Sequence, residues 1–413
     1  MNKIIMVFCM VLMFACKTNN KQERKVDEQF IALTDSLTAA LHKIHEQGFI
    51  NGFSVAIVND SAVLYTKGFG QADFVVQKPY TKNTVQNIAS ISKTLIGVSL
   101  LKAQELGMLK LDDPINNYLP YEVKNPSYPE VPITIRHLAT HTSSILDTDY
   151  YGMSYVMKDP KQAIDTTVVH IPDYFNGPET RIPLTDFMEK ILSDKGAWYQ
   201  KEGFLNNPPG AHYEYSNVAA TLAAQVLEGA TGTTLPKFTQ THILDPLGMT
   251  GSGWSFDAIH LEDHSRLYAD TKTPLPFYSL ITYPDGGFTT SSSDLAAYLN
   301  ELMKGFVGKG TLLQADGYSE LFKKQLNAAH HANEDGEEPS GDEHNSGIFM
   351  GFRANGQIGH SGGDPGVSTH MFFDPTTYLG RILIVNTELD EEGYKELIAI
   401  GNTLTEYGGK LNQ

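Results

Sequence analysis

The sequence predicts an α/β (α+β) fold: one layer of strands and helices built from both ends of the chain, with a mostly helical domain inserted between them. Three observations point there. Strand patterns gather near the ends, as Phe53-Ser54-Val55-Ala56-Ile57-Val58 with Ala62-Val63-Leu64-Tyr65 early, and Met371-Phe372-Phe373 with Arg381-Ile382-Leu383-Ile384-Val385 late. Each set is flanked by a terminal stretch with apolar residues at helical spacing. The middle, from about Leu111 to Pro274, reads as helices and loops. The expected division assigns about 29–90 and 280–413 to the α/β part and about 91–279 to the helical part.

Taken in order, the chain starts with Lys3, an apolar run from Ile4 to Ala15, then Cys16 and the polar Lys17-Thr18-Asn19-Asn20. That run is too short to span a bilayer and reads as the apolar core of a secretory signal over 1–15. Met13-Phe14-Ala15-Cys16 resembles a bacterial lipobox. It predicts a lipidated Cys16 as the mature N-terminus, residues 16–28 as a polar tether, and an exported lipoprotein held to a membrane of the cell envelope. Cys9 and Cys16 are the only cysteines, so cleavage before Cys16 leaves no disulfide and no thiolate chemistry. From Glu28 to about Gln47, Phe30, Ile31, Leu33, Leu37, Ala40, Leu41 and Ile44 recur at helical spacing. Asn59-Asp60-Ser61 joins the first two strand patterns as a hairpin turn. Ser90 to Leu106 reads as an apolar helix stopped by Gly107. The irregular stretch from Leu146 to about Ile182 is long enough to be a lid or a plain insertion, the acidic run His330–Ser346 reads as a solvated loop, and Glu391 to about Tyr407 as a last helix.

Composition narrows the function. With 41% hydrophobic and 19% charged residues in 413, the chain is globular. A net charge of -17 argues against nucleic acid, whose phosphates require Lys and Arg. Among 14 histidines there is no His-Glu-x-x-His, and His137 and His141 read as structural. No metal and no cofactor are expected, and the expected partner is a small-molecule or peptide substrate.

Hydrolysis of an amide or ester through a serine requires a base for the hydroxyl, an acid for the leaving group and fixed donors for the oxyanion. Ser90-Ile91-Ser92-Lys93 supplies the first, because residues i and i+3 share a helix face. An amine serves as base when its surroundings favour the neutral form. Ser99-Leu100-Leu101-Lys102 matches the same pattern, but Ser99 falls mid-helix, whereas Ser90 falls at a helix start, where developing negative charge is favoured. Tyr215-Ser216-Asn217 offers a phenol to relay a proton and an amide to orient the amine. Tyr-x-Asn recurs at Tyr174–Asn176 and Tyr298–Asn300, yet only Tyr215 lies between a Pro208-Pro209-Gly210 turn and an apolar helix from Val218 to Leu227. In His360-Ser361-Gly362-Gly363, the glycines let a substrate backbone approach a strand edge. A Gly363 N–H there pairs with that of Ser90 as an oxyanion hole.

In this order and spacing, Ser90-x-x-Lys93, Tyr215-x-Asn217 and His360-x-Gly362 resemble the three signatures of penicillin-binding proteins and serine β-lactamases. Surrounding segments are similar to the class C branch: Leu111-Asp112-Asp113-Pro114, Ile135 to Ser143, Asp245-Pro246-Leu247-Gly248-Met249 and Gly286-Gly287-Phe288. The resemblance covers about Asn51 to Leu389. It implies a β-lactamase/transpeptidase-like antiparallel sheet flanked by helices, with Ser90, Lys93, Tyr215 and Asn217 catalytic and His360, Ser361, Gly362 and Gly363 lining substrate and oxyanion. One departure matters. Class C β-lactamases carry Lys where His360 stands, and no Lys-Thr-Gly or Lys-Ser-Gly exists in the chain. His there is similar to certain D-alanyl-D-alanine carboxypeptidases, D-aminopeptidases and family esterases. Its partial charge near neutrality attracts anions less than Lys, although it can donate to a carboxylate or to the Tyr215 oxygen. The resemblance therefore implies a hydrolase of D-amino-acid peptides, with esters and β-lactams as alternatives.

Two rival readings carry less. Gly359-His360-Ser361-Gly362-Gly363 fits the nucleophile-elbow pattern, but Asp364-Pro365-Gly366 and a strand follow where a helix is required. A non-catalytic peptidoglycan or penicillin sensor would have dispensed with Ser90 or Lys93, and both are present.

Overall fold

The computed structural model describes residues 28–158, 172–331 and 343–413. The expected signal segment, Cys16, the expected tether up to residue 27, residues 159–171 of the long irregular stretch and 332–342 of the acidic run lie outside the described residues.

Helix α1 (28–45) leads into strands β1 (Gly52–Asn59) and β2 (Val63–Asp73), which form the expected hairpin. Asn59 Oδ1 accepts from the N–H groups of Ser61 and Ala62, closing the turn through a side chain. β3 (Lys78–Pro79) follows at the sheet edge. The late strands are β4 (Glu343–Ser346), β5 (Gly351–Arg353), β6 (Ile358–Asp364), β7 (Val367–Asp374) and β8 (Leu379–Val385). Together they make one eight-stranded sheet, ordered β3-β2-β1-β8-β7-β6-β5-β4. The early and late halves join where β1 pairs antiparallel with β8, Phe53 opposite Val385 and Asn59 opposite Leu379.

β1 is buried on both faces, which is why its sequence is nearly continuous in apolar residues. Phe53, Val55 and Ile57 meet Leu37 and Leu41 of α1 and Leu397, Ile400 and Leu404 of the last helix, α5 (Glu391–Leu411). That helix runs one turn beyond the predicted end at Tyr407. Ala56 and Val58 face the larger core, with Leu95 and Val98 of α2 (Ser92–Glu105), Leu222 and Val226 of α3 (Asn217–Thr231), and Leu295 and Leu299 of α4 (Ser292–Phe306). Each such buried side chain contributes about 1.5–3 kcal/mol. α2, α3 and α4 thus share one core with β1, and the site lies where α2 begins.

The stretch from Leu146 to Ile182 is more ordered than its composition suggests. Its described part holds a short strand, Tyr155–Met157, paired with Tyr278–Leu280, and short helical turns at Asp149–Ser154 and Pro178–Thr180. The pairing partner lies more than a hundred residues away, so no local pattern announces it.

Candidate active site

The Ser90 turn is stitched down before α2 begins. Ser90 sits in a single 3-10 turn, Ala89–Ile91, and the α-helix opens at Ser92 rather than at Ser90 as the periodicity predicts. Ala89 has φ +47°, a left-handed conformation costing on the order of 1–3 kcal/mol for a non-glycine residue. The neighbours impose it. Ile88 N–H donates to Phe288 O (2.9 Å), Phe288 N–H to Ser92 Oγ (3.1 Å), and Thr369 Oγ1 to Ile88 O (2.9 Å).

Lys93 is fully buried one turn on, and its three N–H positions are all used. Nζ donates to Ser90 Oγ (2.9 Å), Asn217 Oδ1 (2.7 Å) and Asp285 O (2.8 Å). Two of these acceptors are carbonyls that can only accept. A neutral amine keeping both would thus turn its lone pair toward Ser90 Oγ, so the third contact can run in either direction.

Asn217 opens α3, whose N-cap is Ser216. Asp147 organises this end: its carboxylate accepts from Ser216 Oγ (3.0 Å), Asn217 N–H (3.1 Å), Asn217 Nδ2 (2.8 Å) and Val218 N–H (2.9 Å). A carboxylate at a helix N-terminus is favoured by the macrodipole. It also fixes the Asn217 amide with nitrogen toward Asp147 and oxygen toward Lys93.

Tyr215 lies between the other groups. Lys93 Nζ is 5.1 Å from its ring centroid, the His360 ring 6.3 Å, and the His141 ring 4.4 Å at an interplanar angle of 28°. His360 is buried, and its Nδ1 lies 2.5 Å from Ser361 O. A carbonyl only accepts, so Nδ1 carries the proton and Nε2 of the neutral ring is an acceptor.

β6 brings the third motif alongside the Ser90 turn. β5 pairs with β6 only at Ile358 and Gly359, so the edge of β6 beyond them carries no strand partner among the described residues. A Cβ at Gly362 would lie 2.4 Å from Ile88 O and 3.0 Å from Ala89 Cβ, whereas one at Gly363 would meet nothing within 4 Å. Gly362 thus permits the close approach, and Gly363 borders open space. Side chains alternate across a strand, which turns Ser361 away from His360. Ser361 lines, with Gly363, His370 and Tyr394, an open cavity of about 600 Å³ beside the strand.

A buried carboxyl and a half-buried one complete the surroundings. Asp285 accepts from Tyr151 Oη (3.0 Å) and Thr221 Oγ1 (2.9 Å), and burial pushes it up to about 6 against the pull of Lys93. Asp364 accepts from Tyr155 Oη (2.7 Å), and burial, with the Asp285 charge adding to it, pushes it up to about 7.

The rival sites fall away on the same geometry. Ser99 is buried and donates to Leu95 O within its own helix (2.7 Å). Tyr298 is a core residue bonded to Thr94, and Tyr174 is exposed. No group of three or more metal-ligating side chains occurs among the described residues. Sequence reasoning missed Asp147, Asp285 and Asp364 as members of the site and took His141 as structural only. Asp364 directly follows the third motif and Asp285 directly precedes Gly286-Gly287-Phe288, so adjacency to quoted segments was the available signal.

A sheet built from both chain ends, with a Ser-x-x-Lys turn at its seam, a Tyr-x-Asn at a helix start and a His-x-Gly edge strand, is the β-lactamase/transpeptidase-like fold. The Beta-lactamase family profile matches residues 36–403, and the chain belongs to that family. Protein flp of Staphylococcus aureus is 24% identical over 367 residues, covering 87% of this chain and 64% of flp, so the chain spans just under two thirds of that relative's length. The octameric penicillin-binding protein homologue from Pyrococcus abyssi superposes with a TM-score of 0.67 at 23% identity, over 90% of this chain and 77% of that one. EstCE1, a hydrolase with promiscuous acyltransferase activity, superposes with a TM-score of 0.65 at 20% identity, over 91% and 99%.

Proposed function

We propose that the chain is a serine hydrolase that transfers acyl groups from D-amino-acid peptides or amides to water through a Ser90 acyl-enzyme. The observation that carries this reading is the set of three Lys93 contacts, by which a neutral amine keeping its two carbonyl partners would aim its lone pair at Ser90 Oγ. Lys93 takes the Ser90 proton as Oγ attacks the carbonyl carbon. The N–H groups of Ser90 and Gly363 hold the oxyanion. Collapse breaks the bond to the leaving group, which takes a proton from Tyr215, and Lys93 returns a proton to the phenolate. Water then repeats the sequence in reverse and frees Ser90. Small esters are the second reading, favoured by Asp285 and Asp364: acidic side chains beside the Ser90 turn oppose a substrate carboxylate but are indifferent to an ester. The same argument, with His360 in place of Lys, makes β-lactams poor substrates. Anchoring in the cell envelope through lipidated Cys16 belongs to this proposal, since stem peptides lie within reach there. Detergent partitioning of wild type, with release of Cys16→Ser to the aqueous phase, is the expected outcome for the anchor.

The substrate test compares kcat/KM for a D-Ala-D-Ala peptide, a p-nitrophenyl ester and a chromogenic cephalosporin. Turnover of the first two above the third is expected. Cephalosporin turnover well above both would overturn the reading of His360, and turnover retained in Ser90→Ala would overturn the nucleophile.

A further inference from the structure

We propose that His141 is a positioning residue for Tyr215, a neutral imidazole platform that holds the phenol against Lys93; this rests on the serine-hydrolase reading above. The two rings stack at 4.4 Å between centroids, 28° from parallel. Phe349 backs His141 edge-on at 5.4 Å, so the platform is itself supported.

Two main-chain links tie the platform to the motif it serves. Ser216 N–H donates to His141 Nδ1 (3.2 Å), and Glu214 N–H donates to His141 O (2.8 Å). The residues on both sides of Tyr215 are thus fixed to one histidine. Because Nδ1 accepts, the ring proton belongs on Nε2. A second proton would break the Ser216 contact and set a cation beside Lys93. Burial, with the charges of Lys93 and His360 adding to it, drives His141 well below its ordinary titration range, which keeps the platform uncharged.

The backbone gives an independent sign. His141 has φ +56° and Ser144 φ +65°, both left-handed in non-glycine residues within one short loop. Such conformations persist only where surrounding contacts over-determine them, and they gather at functional sites. The loop that bears this strain ends at Asp147, which holds Asn217. One loop therefore braces both members of the Tyr-x-Asn motif, His141 the phenol and Asp147 the amide.

The test follows the rate at which a fluorophosphonate labels Ser90, in a double-mutant cycle with Tyr215→Phe. His141→Asn keeps an acceptor and tolerates positive φ but removes the ring. It is expected to slow labelling by about tenfold, and by less than about twofold in the Tyr215→Phe background, because a residue acting through the phenol has nothing left to position. His141→Phe keeps a ring on Tyr215 and is expected to stay within about threefold of wild type. Cooperative melting checks that the variants fold; where His141→Asn does not, His141→Leu takes its place with the same expected outcome. An equal slowing by His141→Asn with and without the Tyr215 hydroxyl would overturn the inference, as would an unchanged rate or a His141→Phe loss as large as that of His141→Asn. Wild-type protein that takes no label at all would instead overturn the serine-hydrolase reading.

Discussion

Replacing Asp147 by Asn tests how the Asn217 amide is held. The carboxylate accepts four hydrogen bonds, two from backbone N–H groups at the start of α3 and two from the side chains of Ser216 and Asn217. An Asn in its place keeps one oxygen for the helix start, where a neutral acceptor replaces a charged one. That exchange costs on the order of 1–2 kcal/mol of stability. The consequence for the site is larger in kind. The new amide nitrogen confronts Asn217 Nδ2, donor against donor, and Asn217 relieves this by rotating. Rotation turns its N–H toward the Lys93 amine in place of the 2.7 Å contact that the amine makes to its oxygen. Leaving a buried Lys93 N–H without its acceptor costs about 1–3 kcal/mol, which lowers kcat/KM about 5- to 150-fold. The assay is p-nitrophenyl ester hydrolysis beside a denaturant melt of the same protein. Activity within about twofold of wild type, in a variant that melts normally, would refute the idea that Asp147 sets the amide.

Ser90→Ala should abolish fluorophosphonate labelling while Ser99→Ala keeps it, because the Ser99 hydroxyl is committed to Leu95 O; label retained without Ser90 would remove the assignment. Gly362→Ala should cost about 1–3 kcal/mol and at least tenfold in kcat/KM, since its Cβ would press on Ile88 O at 2.4 Å, while Gly363→Ala should leave stability unchanged. Equal melting of the two variants would count against the close approach of β6 to the Ser90 turn. Asp285 should make the fold less stable as pH rises. Its folded value of about 6 lies above the usual 3.8, so its contribution is complete below pH 4 and fades through pH 6 by about 3 kcal/mol. Asp285→Asn should flatten that slope in urea melts taken from pH 4 to 7, and an unchanged slope would sink the account.

What could be read from the sequence followed the range over which each feature is decided. Ser90 and Lys93 were legible because i, i+3 proximity holds in a 3-10 turn as it does in an α-helix, so misjudging the type of turn did no harm to the pairing. The two-ended sheet was legible because a strand buried on both faces, such as β1, must be apolar throughout, and such runs occur only near the ends. Gly362 was legible as a residue of close approach, though not what it approaches. The remaining members of the site were settled by closure of the chain on itself. Asp147 reads locally as one more acid in a loop, and becomes a helix cap only because α3 begins seventy residues later against it. Asp285 contributes a backbone oxygen to Lys93, a role that no side-chain pattern encodes. His141 illustrates the limit most sharply. Its spacing from His137 invited a metal reading and the missing His-Glu-x-x-His a structural one, yet its role depends on which ring stacks on it, and Tyr215 lies about seventy residues further along the chain. Motifs name the groups that react, because chemistry restricts residue types there. The groups that aim them are free to vary in type, and only the folded contacts identify them.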